Sequence, residues 1–215
     1  MSARLYLVRH GQTPSNVAGA LDTALPGAPL TELGREQARL VGADLAGAGV
    51  APSVLLSSEA ARARETAGLM AEEFSAAGRP VPTQAVPGAF EVQAGDYEMR
   101  TGAEALLAYN RVVRDWLEDG DLTASLPGGE SALGVQDRVM PLIAELRESF
   151  LDNGTDVVLV VHGTLMRMVA VFAGAVPSQW ALVNRIPNCG VIELAPDRSG
   201  WSCERWGDHP GRPEF

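Results

Sequence analysis

The chain contains no lysine; all 17 of its basic side chains are arginines. Schiff-base catalysis and the lysine of a Walker-type phosphate loop are therefore excluded. Every basic side chain is a permanently charged planar fork, a shape suited to bidentate contact with phosphate or carboxylate. Genomic base bias accounts for the origin of such a composition, and the chemical exclusion holds whatever the origin. Positive charge is scarce overall: the formal net charge is −10, which argues against nucleic acid or an anionic membrane surface as a partner. No stretch approaches the roughly 20 apolar residues of a membrane span. The sequence enters its first apolar run without the charged, apolar and cleavable succession of a signal peptide, so a cytoplasmic location is expected. There are only two cysteines, Cys189 and Cys203, without metal-type spacing. In a cytoplasmic chain they are expected to be reduced, with a disulfide between them as the alternative.

What is present fits one well-buried core. At 215 residues, 46% hydrophobic and 20% charged, a single domain over residues 1–215 is expected. Apolar runs at Arg4–Val8, Ser53–Leu56 and Val157–Val161 read as buried strands, with weaker strands at Arg79–Gln84, Val191–Leu194 and Trp201–Arg205. Between them, Thr31 is expected to cap a helix with Leu33, Leu40, Val41 and Leu45 on its apolar face. Ser57 or Ser58 is expected to cap a helix to about Phe74. Further helices are expected over Ala103–Glu118, from Ser131 to about Leu151 with a kink or break at Pro141, and over Leu165–Phe172. Gly11–Leu30 and Val86–Gly102 read as irregular, and Pro177–Trp180 as leading into a turn. Strands that are continuously apolar and alternate with helices define an α/β class: a three-layer α/β/α sandwich with a mainly parallel central sheet.

The chain has three histidines, and two of them share an odd position. LVRHGQT and VVHGTLM each end an apolar strand in a histidine followed by glycine. Parallel sheets bind ligands beyond the carboxyl ends of their strands, so His10 and His162 are expected at one rim. The glycines let a ligand approach the backbone, and the N–H groups that follow can face an anion. A third strand end leads into a helix with Arg62 near its N-terminus, where a cation opposes the helix dipole at a cost of roughly 0.3–1 kcal/mol; a bound dianion would compensate. Arg9, His10, Arg62 and His162 thus converge on a phosphate pocket. A lone strand-end histidine is commonly a satisfied structural residue, but two in the same context outweigh that explanation. Arg62 alone could equally belong to a solvated face. Arg64 reads as a solvated cation and His209 as an exposed polar residue. A zinc site fails on spacing, so no metal and no cofactor is expected.

These residues carry a family resemblance. RHGQT at Arg9–Thr13, SSEAARARETA at Ser57–Ala67 and VVHGTLMRM at Val160–Met168 resemble, in order and over nearly the whole chain, the histidine phosphatase superfamily, also called the phosphoglycerate mutase-like family. LTELGREQA, PGGES and NCGVIEL resemble its linking segments. The resemblance implies that His10 is the nucleophile that takes the phosphoryl group and that Arg9, Arg62 and His162 hold the phosphate. Thr13 and Asn16, with the N–H groups of Gly11 and Gly163, complete the pocket on the same terms. FEVQAGDYEM resembles the segment that carries the family's acid, which makes Glu91 the proton donor. Tyr97 stands where tryptophan is usual and Met99 where glycine is usual, which puts the loop around Glu91 in question and keeps Glu98 as a second candidate.

Neutral imidazole is a good nucleophile, and neighbouring arginines favour the neutral form. Arginines, and His162 if protonated, would stabilise the transferring group without a metal. A phosphomonoester hydrolase acting on a small phosphorylated metabolite is expected, as a monomer or homodimer. A phosphoglycerate mutase is the alternative. The family's mutases usually carry a longer, basic insertion after the acid, whereas Val92–Gly128 is short and its acids outnumber Arg100, Arg111 and Arg114. A non-catalytic phosphate-binding regulator is the third reading, against which stands the full set of catalytic residue types.

Overall fold

A computed structural model describes residues 3–198, 200–207 and 213; His209 lies outside them. Its centre is one six-stranded sheet in the order β3-β2-β4-β1-β5-β6. The strands are β1 (Leu5–Arg9), β2 (Pro52–Ser58), β3 (Thr83–Val86), β4 (Asp156–Val161), β5 (Val191–Asp197) and β6 (Gly200–Trp206). The first four in space are parallel, and β5 pairs antiparallel with both β1 and β6. The mainly parallel sheet expected from the apolar runs is therefore present.

Alternation along each buried strand sorts its side chains to two faces. Leu5 and Leu7 of β1, with Val157, Leu159 and Val161 of β4, pack against α5 (Ala132–Ser149) and α6 (Gly163–Phe172). Tyr6 and Val8, with Val158 and Val160, face α2 (Glu32–Gly47) and α3 (Ala61–Ala76) through Val41, Leu45, Ala63, Ala67, Met70 and Phe74. Both faces are covered, which is why the strands read as continuously apolar rather than alternating.

Several local expectations are corrected. Ser57 and Ser58 do not cap α3: sheet pairing carries β2 through Ser58, Ala60 takes the cap position without a side-chain bond, and the Pro26 carbonyl accepts from the Ala61 N–H. The third strand begins at Thr83, because its register on β2 pairs Leu55 with Thr83 and Ser58 with Val86. Pro141 does not split α5. The stretch 11–30 contains a short helix, α1 (Pro14–Ala18), and α7 (Ser178–Val183) follows Pro177. The helix expected over Ala103–Glu118 is α4 (Ala103–Arg114) followed by a wider π turn. On α2, Val41 and Leu45 are buried as expected, whereas Leu33 and Leu40 are exposed and Ala38 and Gly42 complete the buried face. A Cβ on Gly42 would stand 2.8 Å from Met70 Cα, so only glycine permits this approach of α2 to α3. Cys189 and Cys203 are both thiols.

Candidate active site

Strands β1, β4 and β2 are neighbours and parallel, so their carboxyl ends form one rim. Arg9 and His10 leave β1 there, His162 follows β4, and Ser58 closes β2 with Arg62 in the first turn of α3 beyond it. The His10 and His162 ring centroids are 5.3 Å apart and the planes are inclined at 59°. A cavity of about 410 Å³ opens over this rim, lined among others by Arg9, His10, Thr13, Asn16, Arg62, Glu91 and Gly163.

The tautomer of His10 follows from its partner. Nδ1 lies 2.7 Å from the Gly11 carbonyl, which can only accept, so Nδ1 carries the hydrogen and Nε2 keeps its lone pair. Burial, then Arg62, then Arg9, hold this imidazole well below the usual histidine range, outweighing the Gly11 hydrogen bond that pulls upward. His10 is thus neutral and oriented. Gly11 serves through that carbonyl; its N–H donates to Thr66 Oγ1 at 3.1 Å rather than into the cavity.

His162 is fully buried, and both its nitrogens are engaged. Nε2 is 2.9 Å from Ser58 Oγ, and Nδ1 accepts from Arg62 Nε at 3.3 Å. An acceptor at Nδ1 requires the neutral ring, and burial together with Arg62 pushes its pKa well down. The protonated His162 considered from sequence does not describe this state; the ring instead orients Arg62.

The arginines are held by their backs. Arg9 Nη1 donates to the Ile186 carbonyl at 2.7 Å, while its Nε is buried without a hydrogen-bond partner. A Cβ on Gly163 would stand 3.2 Å from that Nε, so glycine there makes room for the guanidinium. Arg62 Nη1 is likewise buried without a hydrogen-bond partner, and its nearest ion-pair contact is Asp22 Oδ1 at 3.6 Å. Asp22, which sequence reasoning did not single out, supplies part of the compensation that Arg62 needs at a helix N-terminus. Orphaned buried donors of this kind fit an anion. Arg64 is exposed, as expected of a solvated cation.

Thr13 and Asn16 form a capping box on α1: Asn16 N donates to Thr13 Oγ1 and Thr13 N to Asn16 Oδ1, both at 3.1 Å. Asn188 ties this turn to His10, donating from Nδ2 to the His10 carbonyl and to Asn16 Oδ1. With its oxygen so occupied, Asn16 has its amide nitrogen left to offer a ligand.

Glu91 reaches the rim from the segment after β3. Oε1 accepts from Val92 N (2.9 Å) and Leu165 N (3.0 Å), and Oε2 accepts only from Thr164 N (3.1 Å). The carboxyl group thus sits on the first turn of α6, where two otherwise orphaned N–H groups hold it. Oε2, with one donor, is the oxygen with capacity to spare. The backbone around Glu91 is clamped by Arg138, which donates to the carbonyls of Gly88 (2.7 Å) and Glu91 (3.3 Å). Arg138 also pairs with both Glu130 oxygens and lies over the Phe90 ring. Glu98 is spent elsewhere: its carboxylate accepts from Thr23 N, Thr23 Oγ1 and Ala24 N, tying the acid loop to the 22–24 turn. Met99 does adopt a positive φ of 58°, but this tether fixes the loop beside it. Sequence reasoning missed Arg138, Asn188, Tyr109, Arg167 and Arg185; all but Arg138 also line the cavity.

A neutral imidazole with an available Nε2 lone pair, two arginines with orphaned donors and a held carboxyl group at one rim suit phosphoryl transfer. A family model of the histidine phosphatase superfamily (branch 1) matches residues 5–209, and the chain belongs to that superfamily. It is 33% identical over 202 residues to a glucosyl-3-phosphoglycerate phosphatase of Mycolicibacterium vanbaalenii, covering 89% of this chain and 84% of that one. It is 28% identical to a probable phosphoglycerate mutase of Serratia proteamaculans, covering 94% and 89%. Among solved structures, a mycobacterial glucosyl-3-phosphoglycerate phosphatase complexed with VO3 superposes with a TM-score of 0.77 at 30% identity, covering 97% of this chain and all of that one.

Proposed function

We infer that the protein is a phosphomonoester hydrolase that acts on a small phosphorylated metabolite through a phosphohistidine at His10. The observation that carries this is the single hydrogen bond on the His10 ring: with Nδ1 committed to a carbonyl, the Nε2 lone pair is available, beside the orphaned donors of Arg9 and Arg62. In the first step Nε2 attacks phosphorus as the P–O bond to the alcohol breaks, and a proton on Glu91 Oε2 passes to the leaving oxygen. In the second step water attacks the phosphohistidine and the same carboxylate takes the water's proton. Arg9 and Arg62 match the charge of the transferring group throughout. On this reading the whole chain is one catalytic unit and needs no metal. No helix among the described residues is long and apolar enough to cross a membrane, and a cytoplasmic site of action fits the readings of charge and composition.

A hydrolase is favoured over a mutase because none of Arg100, Arg111 and Arg114, the arginines of residues 92–128, lines the cavity. Arg100 lies over Tyr97, and Arg114 pairs with Glu118 at 3.5 Å. The test is turnover of p-nitrophenyl phosphate with EDTA present, trapping of an acid-labile phosphoenzyme, and a parallel isomerisation assay on 3-phosphoglycerate with a bisphosphate primer. Turnover with phosphohistidine and without fast isomerisation is expected. Fast primed isomerisation would make it a mutase, and absence of phosphoenzyme would reject the mechanism.

A further inference from the structure

Arg62 sits between two partners of different kind. At Nε it meets the neutral ring of His162. At Nη1 it faces Asp22, whose Oδ1 is 3.6 Å away, too far for a hydrogen bond and close enough for an ion pair. Both side chains are almost fully buried, at 3% and 7% exposure, and both line the cavity over His10. Burial pulls the Arg62 pKa down, and Asp22 is the strongest of the groups that oppose it. A carboxylate in a cavity suited to phosphate requires an explanation, because it repels the group that the cavity would hold.

The chain fixes this carboxylate in place. Oδ2 accepts from Ser15 Oγ at 2.7 Å and from Ala28 N at 3.0 Å, whereas Oδ1 accepts no hydrogen bond among the described residues. The residues on either side of it are tied to the acid loop: Met99 N donates to the Leu21 carbonyl, and Gln93 Nε2 to the Thr23 carbonyl at 2.8 Å. A Cβ on Gly27 would run into Arg62 Nη1, so glycine there lets the chain close over the guanidinium. These ties keep Asp22 beside Arg62 when an anion arrives. A phosphate oxygen bonded to Nη1 at about 2.9 Å lies within about 6.5 Å of Asp22 Oδ1.

We propose that Asp22 competes with phosphate for Arg62 and so limits how tightly the phosphate product is held. This rests on the phosphomonoesterase reading. Before an anion binds, the guanidinium is the counter-ion of Asp22. Afterwards it is shared between two negative groups, and the hold on inorganic phosphate is weaker than two arginines alone would give. Product inhibition is thereby reduced. A purely positioning role for Asp22 predicts the opposite sign, since an Arg62 that is no longer aimed binds anions less well.

Asp22→Asn separates the two roles. The amide oxygen keeps the bonds from Ser15 and Ala28, and the amide nitrogen falls at the Oδ1 position, where there is no hydrogen bond to lose. Dissociation constants of phosphate, tungstate and perrhenate are measured by calorimetry on the wild-type protein and the variant. Tungstate and perrhenate are tetrahedral anions of similar size that differ in charge. Phosphate and tungstate are expected to bind roughly tenfold or more tightly to Asp22→Asn, the effect of one neighbouring charge, and perrhenate to gain less. The inhibition constant of phosphate against p-nitrophenyl phosphate should fall by the same factor. Asp22→Ser, smaller and also uncharged, should shift tungstate over perrhenate in the same direction, and carries the test if the Asn variant does not fold. Unchanged or weaker binding of phosphate and tungstate, or equal gains for tungstate and perrhenate, would overturn the proposal. Turnover by the wild-type protein is scored separately. Tighter binding in the variant without wild-type turnover keeps the role of Asp22 and rejects the hydrolase, whereas turnover without the gain does the reverse.

Discussion

His10 and His162 end neighbouring parallel strands, each is followed by glycine, and their rings are 5.3 Å apart. Both are held neutral by burial and by Arg62. They differ in what holds their nitrogens. His10 has one partner, a carbonyl that fixes the hydrogen on Nδ1 and leaves Nε2 available. His162 has two, Ser58 on one nitrogen and Arg62 on the other. Two rings in the same local sequence thus acquire different chemistry from a single extra hydrogen bond. On the proposed mechanism the first attacks phosphorus and the second positions Arg62 for that attack.

The largest effect that would sharpen this comparison is at His10. His10→Ala should reduce kcat by about 10⁴-fold or more, and no acid-labile phosphoenzyme should form with any leaving group. His162→Ala, by contrast, should still form phosphoenzyme. If a phosphorylated intermediate persists in His10→Ala and vanishes in His162→Ala, the two roles are exchanged.

Next in size is Glu91. General acid catalysis is worth roughly 10²–10⁴-fold for a poor leaving group and far less for a good one. In single-turnover formation of phosphoenzyme, Glu91→Gln should therefore slow an alkyl ester steeply and p-nitrophenyl phosphate mildly. Equal losses for the two esters would reduce Glu91 to a positioning residue. The tether from Glu98 to Thr23 makes Glu98 a poor substitute for it.

His162→Ala should cost less again, about 10- to 10²-fold in kcat/KM, the size of a misplaced positioning group. Arg62 loses the acceptor of its Nε, so its guanidinium is no longer aimed. Ser58→Ala, which leaves the Arg62 contact in place, should cost only a few-fold by the general worth of a neutral hydrogen bond. An effect of Ser58→Ala as large as that of His162→Ala would mean that the Nε2 bond, not the Arg62 bond, carries the role.

What was legible in the sequence is what a local pattern can encode. A polar residue that ends an apolar run before a glycine marks a strand end, and that placed Arg9, His10 and His162 at one rim. The partners that differentiate them were not legible, because they come from elsewhere in the chain. Arg62 meets His162 across 100 residues, and Glu91 meets α6 across more than 70. Arg167 lay inside the apolar run Leu165–Phe172, where its spacing says only that it is buried. Sheet pairing overrode cap preference at Ser57 and Ser58, since extending β2 satisfies backbone that a cap would not. Helix α1 did leave a signal, Thr13 followed by Pro14 with Asn16 at the reciprocal position, the pattern of a capping box with proline at the first turn. On α2 the spacing placed Val41 and Leu45 inside but misled at Leu33 and Leu40, because the packed face also runs through Ala38 and Gly42, where glycine lets α3 approach.

The smallest effect is on stability rather than rate. Both rim histidines have folded pKa values below the unfolded value of about 6.5. Between those values the unfolded chain binds more protons than the folded one, so stability rises with pH across the window and is lost as pH falls below about 6.5. Each ring contributes a slope of up to about 1.4 kcal/mol per pH unit in that interval. Urea unfolding of the wild type at a series of pH values should show this loss, superimposed on the titration of the carboxylates at lower pH. His10→Asn and His162→Asn should each remove about one ring's share of the slope, whatever they do to stability at neutral pH. A variant that left the slope intact would show that its histidine is protonated in the folded protein. For His162 that result would deprive Arg62 Nε of its acceptor, since a protonated ring only donates and a guanidinium cannot accept, and the comparison with His10 would have to be drawn again with a charged ring.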